Sequence, residues 1–107
     1  MNEFRELNFG YFEGKRAELI RNLQPEIYDE NDFFRYDIKL LGGESILDLK
    51  KRVESGLKKL CSVNKNILLI THGSVIHMIY SILGNIDYNQ SYSGIDIDFD
   101  KVHYFKL

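Results

Sequence analysis

Apolar residues recur every three or four positions between residues 46 and 60, which is the spacing of one face of an α-helix. Ser45 stands directly before this stripe and Asp48 follows three residues later, a pair close to the capping box that begins many helices. Gly56 lies inside the predicted helix, where glycine costs about 1 kcal/mol relative to alanine, so we expect a neighbouring group to pack closely against it. The stripe comprises Ile46, Leu49, Val53, Leu57 and Leu60.

The next apolar segment lacks helical spacing. Residues 67–71 read ILLIT, a continuous apolar run that predicts a β-strand buried on both faces, as in a parallel sheet. After Gly73 and Ser74, the run VIHMIYSIL predicts a largely buried helix, closed by Gly84. Helix, strand and helix in this order indicate an α/β fold with a mostly parallel sheet flanked by helices.

The two ends of the chain predict less regular structure. FRELNFGYFEGK predicts an ordered loop because two glycines stand among aromatic residues, and KRAELIRNL predicts a short helix that Pro25 ends. The C-terminal stretch GIDIDFDKVHYFKL alternates in polarity. It predicts a hairpin with one solvated face and a tight turn at Asp100 and Lys101.

The composition limits the classes of function. A length of 107 residues fits one small domain, 1–107. Fourteen basic residues against sixteen acidic ones give a net charge of −2, which offers no electrostatic argument for binding nucleic acid. No segment approaches the ~18 apolar residues of a membrane span, and the charged start MNEFRELNFG is unlike a signal peptide. With a single cysteine, these features predict a cytoplasmic location away from membranes.

The junction between the predicted strand and helix carries the candidate chemistry. His72 follows the strand, Gly73 allows a ligand close to the backbone, and the helix presents N–H groups and the positive end of its dipole. These features describe a phosphate or oxyanion site. A histidine that only ends a strand and bonds locally would have the same spacing, and both interpretations stay open. His77 lies about 140° further round the helix, so we expect no metal pair. We expect His77 to be a core or partner-facing histidine, and we expect no functional role for His103.

Three blocks in the same order resemble the histidine phosphatase superfamily, the phosphoglycerate mutase-like proteins. They are FRELNFGYFEGK, GGES before an amphipathic helix with RV, and ILLITHGSVI before an apolar helix that ends in glycine. The resemblance runs from about Phe4 to Gly84. It implies a three-layer α/β fold, of which this chain would hold the C-terminal portion. It also implies phosphomonoester hydrolysis or phosphoryl transfer without a cofactor or a metal.

The resemblance assigns roles to particular residues. Glu6 in RELNFG matches the glutamate that donates and accepts a proton, and His72 in THG matches a second histidine that holds the transferring phosphate. Gly73 would lend its backbone to the same phosphate. Charge spreads over the phosphoryl oxygens during transfer, so catalysis depends on positioned cations and N–H groups. The expected ligand is a small phosphorylated molecule or inorganic phosphate. Glu44 is expected to be structural, and Arg52 to form a structural ion pair.

One motif that the resemblance implies does not occur in this sequence. The family carries its nucleophilic histidine in an Arg-His-Gly motif before the glutamate block, and the sequence has no RHG. We therefore expect the usual two-step transfer not to occur in this chain alone. The alternative is a catalytically inactive phosphate-binding or interaction module on the same partial fold. A strand at 67–71 without its neighbour would have an apolar edge, which predicts a homo-oligomer or a complementing N-terminal chain. Leu7, where mutases carry arginine, favours a phosphatase.

Overall fold

In a computed structural model of the chain, residues 1–95, 97 and 102–107 are described. They contain four α-helices: α1 (Ala17–Leu23), α2 (Ile46–Cys61), α3 (Gly73–Gly84) and α4 (Tyr88–Gly94). Single turns of 3₁₀-helix lie at Asn2–Phe4, Gly10–Phe12 and Pro25–Ile27. The chain forms two compact units, residues 1–6 with 50–107, and Leu7–Leu49. That residues 1–107 form a single domain stays a prediction.

Helix α2 follows the pattern that the sequence predicts. Ser45 Oγ accepts a hydrogen bond from the N–H of Asp48 at 3.1 Å, and the Asp48 carboxylate accepts one from the N–H of Ser45 at 3.0 Å. This reciprocal pair confirms the capping box. Lys39 Nζ also donates a hydrogen bond to the Asp48 carboxylate, at 2.6 Å. The hydrogen bonds from Lys39 and from the Ser45 N–H together lower the pKa of Asp48 to about 2. Four positions of the predicted stripe are buried: Ile46, Leu49, Val53 and Leu57.

Gly56 of α2 is in close contact with a neighbour, as the sequence predicts. A Cβ atom at this position would lie 2.6 Å from Cζ of Phe4 and 2.9 Å from Cβ of Glu3. The Phe4 side chain is only 4% exposed. Glycine therefore lets residues 1–6 lie directly against α2, which offsets its low helix propensity.

The segment ILLIT does not form the predicted buried strand. The described residues contain no β-strand, and their isolated antiparallel bridge joins Tyr28 to Phe34. Ile70 is 89% exposed and Leu68 is 78% exposed, so the prediction of burial on both faces is wrong. A strand requires a hydrogen-bonded neighbour, and the described part of the chain supplies none to residues 67–71. The mostly parallel sheet is therefore not confirmed.

Helix α3 is present, but it begins at Gly73, before the run at Val75 that predicted it, and it also ends differently. His72 is its N-cap, and the His72 carbonyl accepts a hydrogen bond from the N–H of Ile76 at 3.0 Å. The residue in the left-handed conformation after the helix is Asn85, with φ 51° and ψ 45°, rather than Gly84. Asparagine tolerates this conformation because its short polar side chain bonds locally.

The prediction for the region after α3 missed a helix. Helix α4 was not predicted, and it contacts α3. The predicted hairpin turn at Asp100 and Lys101 lies outside the described residues. None of the helices in the described part of the chain has the length and apolar character needed to cross a membrane.

Candidate functional site

The four residues Glu3–Glu6, called the acid segment below because it ends in Glu6, are held by distant side chains. The Arg52 guanidinium donates hydrogen bonds to the carbonyl oxygens of Glu3, Arg5 and Glu6, at 3.0, 2.8 and 3.0 Å. Thr71 Oγ1 donates to the remaining carbonyl of the segment, that of Phe4. All four consecutive carbonyls therefore accept side-chain hydrogen bonds.

Two further contacts attach the acid segment to α2. The ring of Phe4 packs over Gly56, as described above. At the start of the segment, the Lys59 ammonium donates to the Glu3 carboxylate, and this hydrogen bond holds the pKa of Glu3 below its usual value. The segment thus touches α2 through both apolar and charged groups, although Glu3 and Lys59 are 56 residues apart in sequence.

The side chain of Glu6 reaches the first turn of α3. Its Oε1 accepts a hydrogen bond from the hydroxyl of Ser74, the second residue of α3, across 68 residues of sequence. Both residues are half-buried. The carboxylate therefore lies where the free N–H groups and the dipole of a helix favour negative charge.

His72 and Gly73 form the beginning of α3 itself. His72 is exposed, and its backbone is extended, with φ −114° and ψ 162°. A Cβ atom added at Gly73 would meet no described atom within 4 Å. A ligand can therefore approach the first N–H groups of α3 beside His72. The structure places Glu6, His72 and Gly73 at or next to one helix terminus, while their chemical roles stay predictions.

The other two histidines lie elsewhere and have partners. His77 is buried, with Nδ1 3.0 Å from Ser91 Oγ, and its burial lowers its pKa, with a further contribution from nearby His103. His103 Nδ1 lies 2.7 Å from the Tyr80 hydroxyl. The burial of His77 confirms one of the two positions expected for it, a place in the core. No group of three or more His, Cys, Asp or Glu side chains that could hold a metal occurs within the described ranges.

Three contributors to the site did not emerge from the sequence. Arg52 was expected in an ion pair, yet it donates to three backbone carbonyls. Ser74 was interpreted only as a residue of the helix start, and Thr71 only as part of a strand. For Thr71 and Ser74, the only indication in the sequence is their position, because these two hydroxyl residues directly flank the His72–Gly73 pair. Glu44 is structural, as expected, because its Oε1 accepts the N–H of Asn8 at 2.9 Å.

A cleft lies at the other end of α3. It has a volume of about 380 Å³, and its lining includes Lys50, Glu54, Ser81 and Asp87. Its lining carries charges of both signs and none of the predicted site residues. We therefore place the candidate site at the start of α3, around His72, and not in this cleft.

The chain is similar in sequence to one known superfamily. The model of the histidine phosphatase superfamily (branch 1) matches residues 1–98. The chain belongs to the histidine phosphatase superfamily. The match confirms the resemblance seen in the sequence, and it extends past Gly84, where that resemblance ended.

Two relatives from Saccharomyces cerevisiae share part of their length with this member of the superfamily. A fructose-2,6-bisphosphatase is 33% identical over 86 residues, and 6-phosphofructo-2-kinase 1 is 29% identical over 97 residues. The alignments cover 80% and 81% of this chain but only 19% and 12% of the relatives. The chain therefore spans less than a fifth of each of these proteins.

A solved structure shows the fold. The α-ribazole phosphatase from Shigella flexneri superposes with a TM-score of 0.67 at 21% sequence identity. The superposition covers 87% of this chain and 47% of that structure. The likeness shows that the described architecture is part of a histidine phosphatase fold.

Proposed function

We propose that this chain supplies the proton-transferring carboxylate, Glu6, and the phosphate-holding histidine, His72, of a histidine phosphatase site. The observation that supports this is the hydrogen bond from Ser74 to Glu6, which holds the carboxylate at the start of α3. The proposed ligand is a small phosphorylated molecule or inorganic phosphate. Because one relative is named a fructose-2,6-bisphosphatase, a phosphorylated sugar is a suitable first substrate to test.

In this proposal each residue has a separate task. The phosphate accepts hydrogen bonds from the first N–H groups of α3, including that of Gly73, and interacts with the His72 imidazole. These donors stabilise the charge that spreads over the phosphoryl oxygens during transfer. Glu6 donates a proton to the leaving oxygen in the first step, and in the second step it acts as a base and accepts a proton from the attacking water. Ser74, which donates to Glu6, orients that carboxylate.

Phosphoryl transfer in two steps also requires a nucleophile. His77 and His103 bond to Ser91 and Tyr80, and the sequence has no Arg-His-Gly motif. We therefore propose that turnover requires a nucleophilic histidine from outside residues 1–107. The segment 67–71, in which Ile67, Leu68 and Ile70 are exposed, is the proposed place of contact for the part that carries this histidine or for a second copy, because exposed apolar side chains favour association.

Phosphate binding is tested by titrating inorganic phosphate into the ¹⁵N-labelled chain, with sulfate as the comparison anion. We expect saturable shifts at the Gly73 and Ser74 amides and weaker binding in His72→Ala. Gly73→Ala tests the site more specifically than His72→Ala. Since its Cβ meets no described atom and its φ is not positive, it should leave the melting temperature unchanged while obstructing the phosphate. A phosphate affinity unchanged in both variants would contradict the proposed site; His103→Gln, outside the site, serves as the histidine control.

Turnover separates the enzyme from the alternative function. Hydrolysis of p-nitrophenyl phosphate and of fructose 2,6-bisphosphate is measured for the chain alone. We expect none, with phosphate binding intact. Turnover that is lost in His72→Ala would show that the chain is active by itself and that no complementing histidine is required. The alternative is an inactive phosphate-binding or interaction module, with which the exposed Leu68 and Ile70 agree equally well. It predicts binding without turnover even when a chain carrying an Arg-His-Gly segment is added.

A further inference from the structure

We propose that Arg52 is a positioning residue, whose guanidinium fixes the acid segment so that the Glu6 carboxylate meets Ser74 at the start of α3. The inference rests on the proposed function, because that function gives Glu6 its role in proton transfer. It concerns a different matter, namely how the carboxylate is placed.

The contacts of Arg52 are suited to fixing a backbone direction. Nη1 donates to the carbonyls of Glu3 and Arg5, and Nη2 donates to the carbonyl of Glu6. A guanidinium is planar, and its N–H groups point in fixed directions, so several acceptors bound to it are oriented relative to one another. The third acceptor is the carbonyl of Glu6 itself. Rotation of that peptide group would therefore break a contact with Arg52 and would also move the carboxylate.

The acid segment needs such a device because regular secondary structure does not continue through it. The 3₁₀ turn ends at Phe4, and Arg5 is extended, with φ −70° and ψ 158°. In the described structure Glu6 belongs to neither a helix nor a strand. Backbone groups outside helices and sheets are oriented by side-chain donors or by water. Here those donors are Arg52 and Thr71.

Thr71 adds a second, independent restraint. Its hydroxyl donates to the Phe4 carbonyl, and Thr71 directly precedes His72 in the sequence. The acid segment is thus held by α2 on one side and by the residue next to the candidate phosphate-binding histidine on the other. Arg52 sets the direction of the segment, and Thr71 sets its place relative to His72.

The experiment reads the position of Glu6 without any phosphate. Amide ¹H–¹⁵N shifts are recorded for residues 72–76, and the changes caused by Glu6→Gln are measured in the wild-type background. The same comparison is then made in backgrounds carrying Arg52→Met or Arg52→Lys. We expect the Glu6→Gln shift changes at Ser74 to be lost in both backgrounds. Methionine cannot donate a hydrogen bond, and the single nitrogen of lysine cannot reproduce the planar set of N–H donors of a guanidinium.

A purely structural role for Arg52 gives a different result. Both variants would then lower the melting temperature, but the folded molecules would keep the wild-type shift changes on Glu6→Gln. That outcome would overturn the proposal, and so would loss of the fold in both Arg52 variants, which would assign Arg52 to stability. Lys51→Met, an exposed neighbour on α2, is the matched control and should leave the shift changes intact.

The two proposals fail separately. If the chain binds no phosphate but Arg52→Lys removes the Glu6→Gln effect at Ser74, the proposed function is wrong and the positioning role stands. If phosphate binds with the predicted residue dependence but both Arg52 variants keep the effect, the function stands and the positioning role is wrong.

Discussion

Replacement of Gly56 by alanine tests the contact between α2 and the acid segment. On helix propensity alone, Gly56→Ala should stabilise the chain by up to about 1 kcal/mol. The new Cβ, however, would lie 2.6 Å from Cζ of Phe4 and 2.9 Å from Cβ of Glu3, against 3.4–4 Å for ordinary contacts. The Phe4 ring is only 4% exposed, so it cannot move away without disturbing the core. Overpacking of this kind costs about 1–3 kcal/mol, and we expect a net destabilisation of about 1 kcal/mol.

Urea denaturation measures the effect. The free energy of unfolding of a small protein falls by about 1–3 kcal/mol per M urea, so the urea concentration at the midpoint of unfolding should fall by roughly half a molar unit. Ser55→Ala, at an exposed neighbouring position of α2, is the control and should be neutral or slightly stabilising. Phe4→Leu removes the clashing ring atom, so Gly56→Ala should cost less in that background than in the wild type. A Gly56→Ala chain as stable as the wild type or more stable would refute the reasoning.

Four further predictions concern other parts of the chain. Ser45→Ala removes one half of the capping box with Asp48 and should cost about 1 kcal/mol by urea denaturation. The pKa of Asp48 is lowered from 3.8 to about 2 in the folded chain. The ionised carboxylate therefore stabilises the fold fully only at pH values above the pKa of the unfolded chain. Stability should fall as pH drops from about 4 to 2, less steeply in an Asp48→Asn chain. Burial lowers the pKa of His77 below 6.5. The unfolded chain therefore binds more protons just below that value, and the melting temperature should fall between pH 7 and 5.5, with a smaller slope in His77→Gln. Gly43→Ala, whose Cβ would run into the backbone carbonyl of Asn8, should reduce the melting temperature or prevent folding, as circular dichroism would show.

The sequence predicted those elements whose stability is local. Helix α2, its capping box and the close packing at Gly56 follow from spacing and from residue types within one segment. The presence of α3 was predicted for the same reason, although it begins at Gly73, before the predicted run. Its end at Asn85 was missed because asparagine is the less common residue in the left-handed conformation.

Features that depend on distant partners were not predictable in the same way. The apolar content of residues 67–71 indicated a buried strand, but burial and strand formation require a neighbouring chain segment that the described residues lack at this place. Arg52 lies beside Val53 on α2, and nothing local shows that it reaches carbonyls 46 to 49 residues away. For the site, the family resemblance selected Glu6 and His72, and the structure then added Ser74 as the link between the acid segment and α3.

The exposed side chains of Leu68 and Ile70 have a consequence for how the stability of this chain is measured. The partner proposed to cover them would bind the folded chain and not the unfolded one, so it would raise the free energy of unfolding by mass action. At a free concentration 100 times the dissociation constant the gain is about 2.7 kcal/mol, more than the expected effect of Gly56→Ala. If that partner is a second copy, the melting temperature rises with protein concentration. Variants can then be ranked only at equal concentrations, and the dependence itself reports the affinity of the contact.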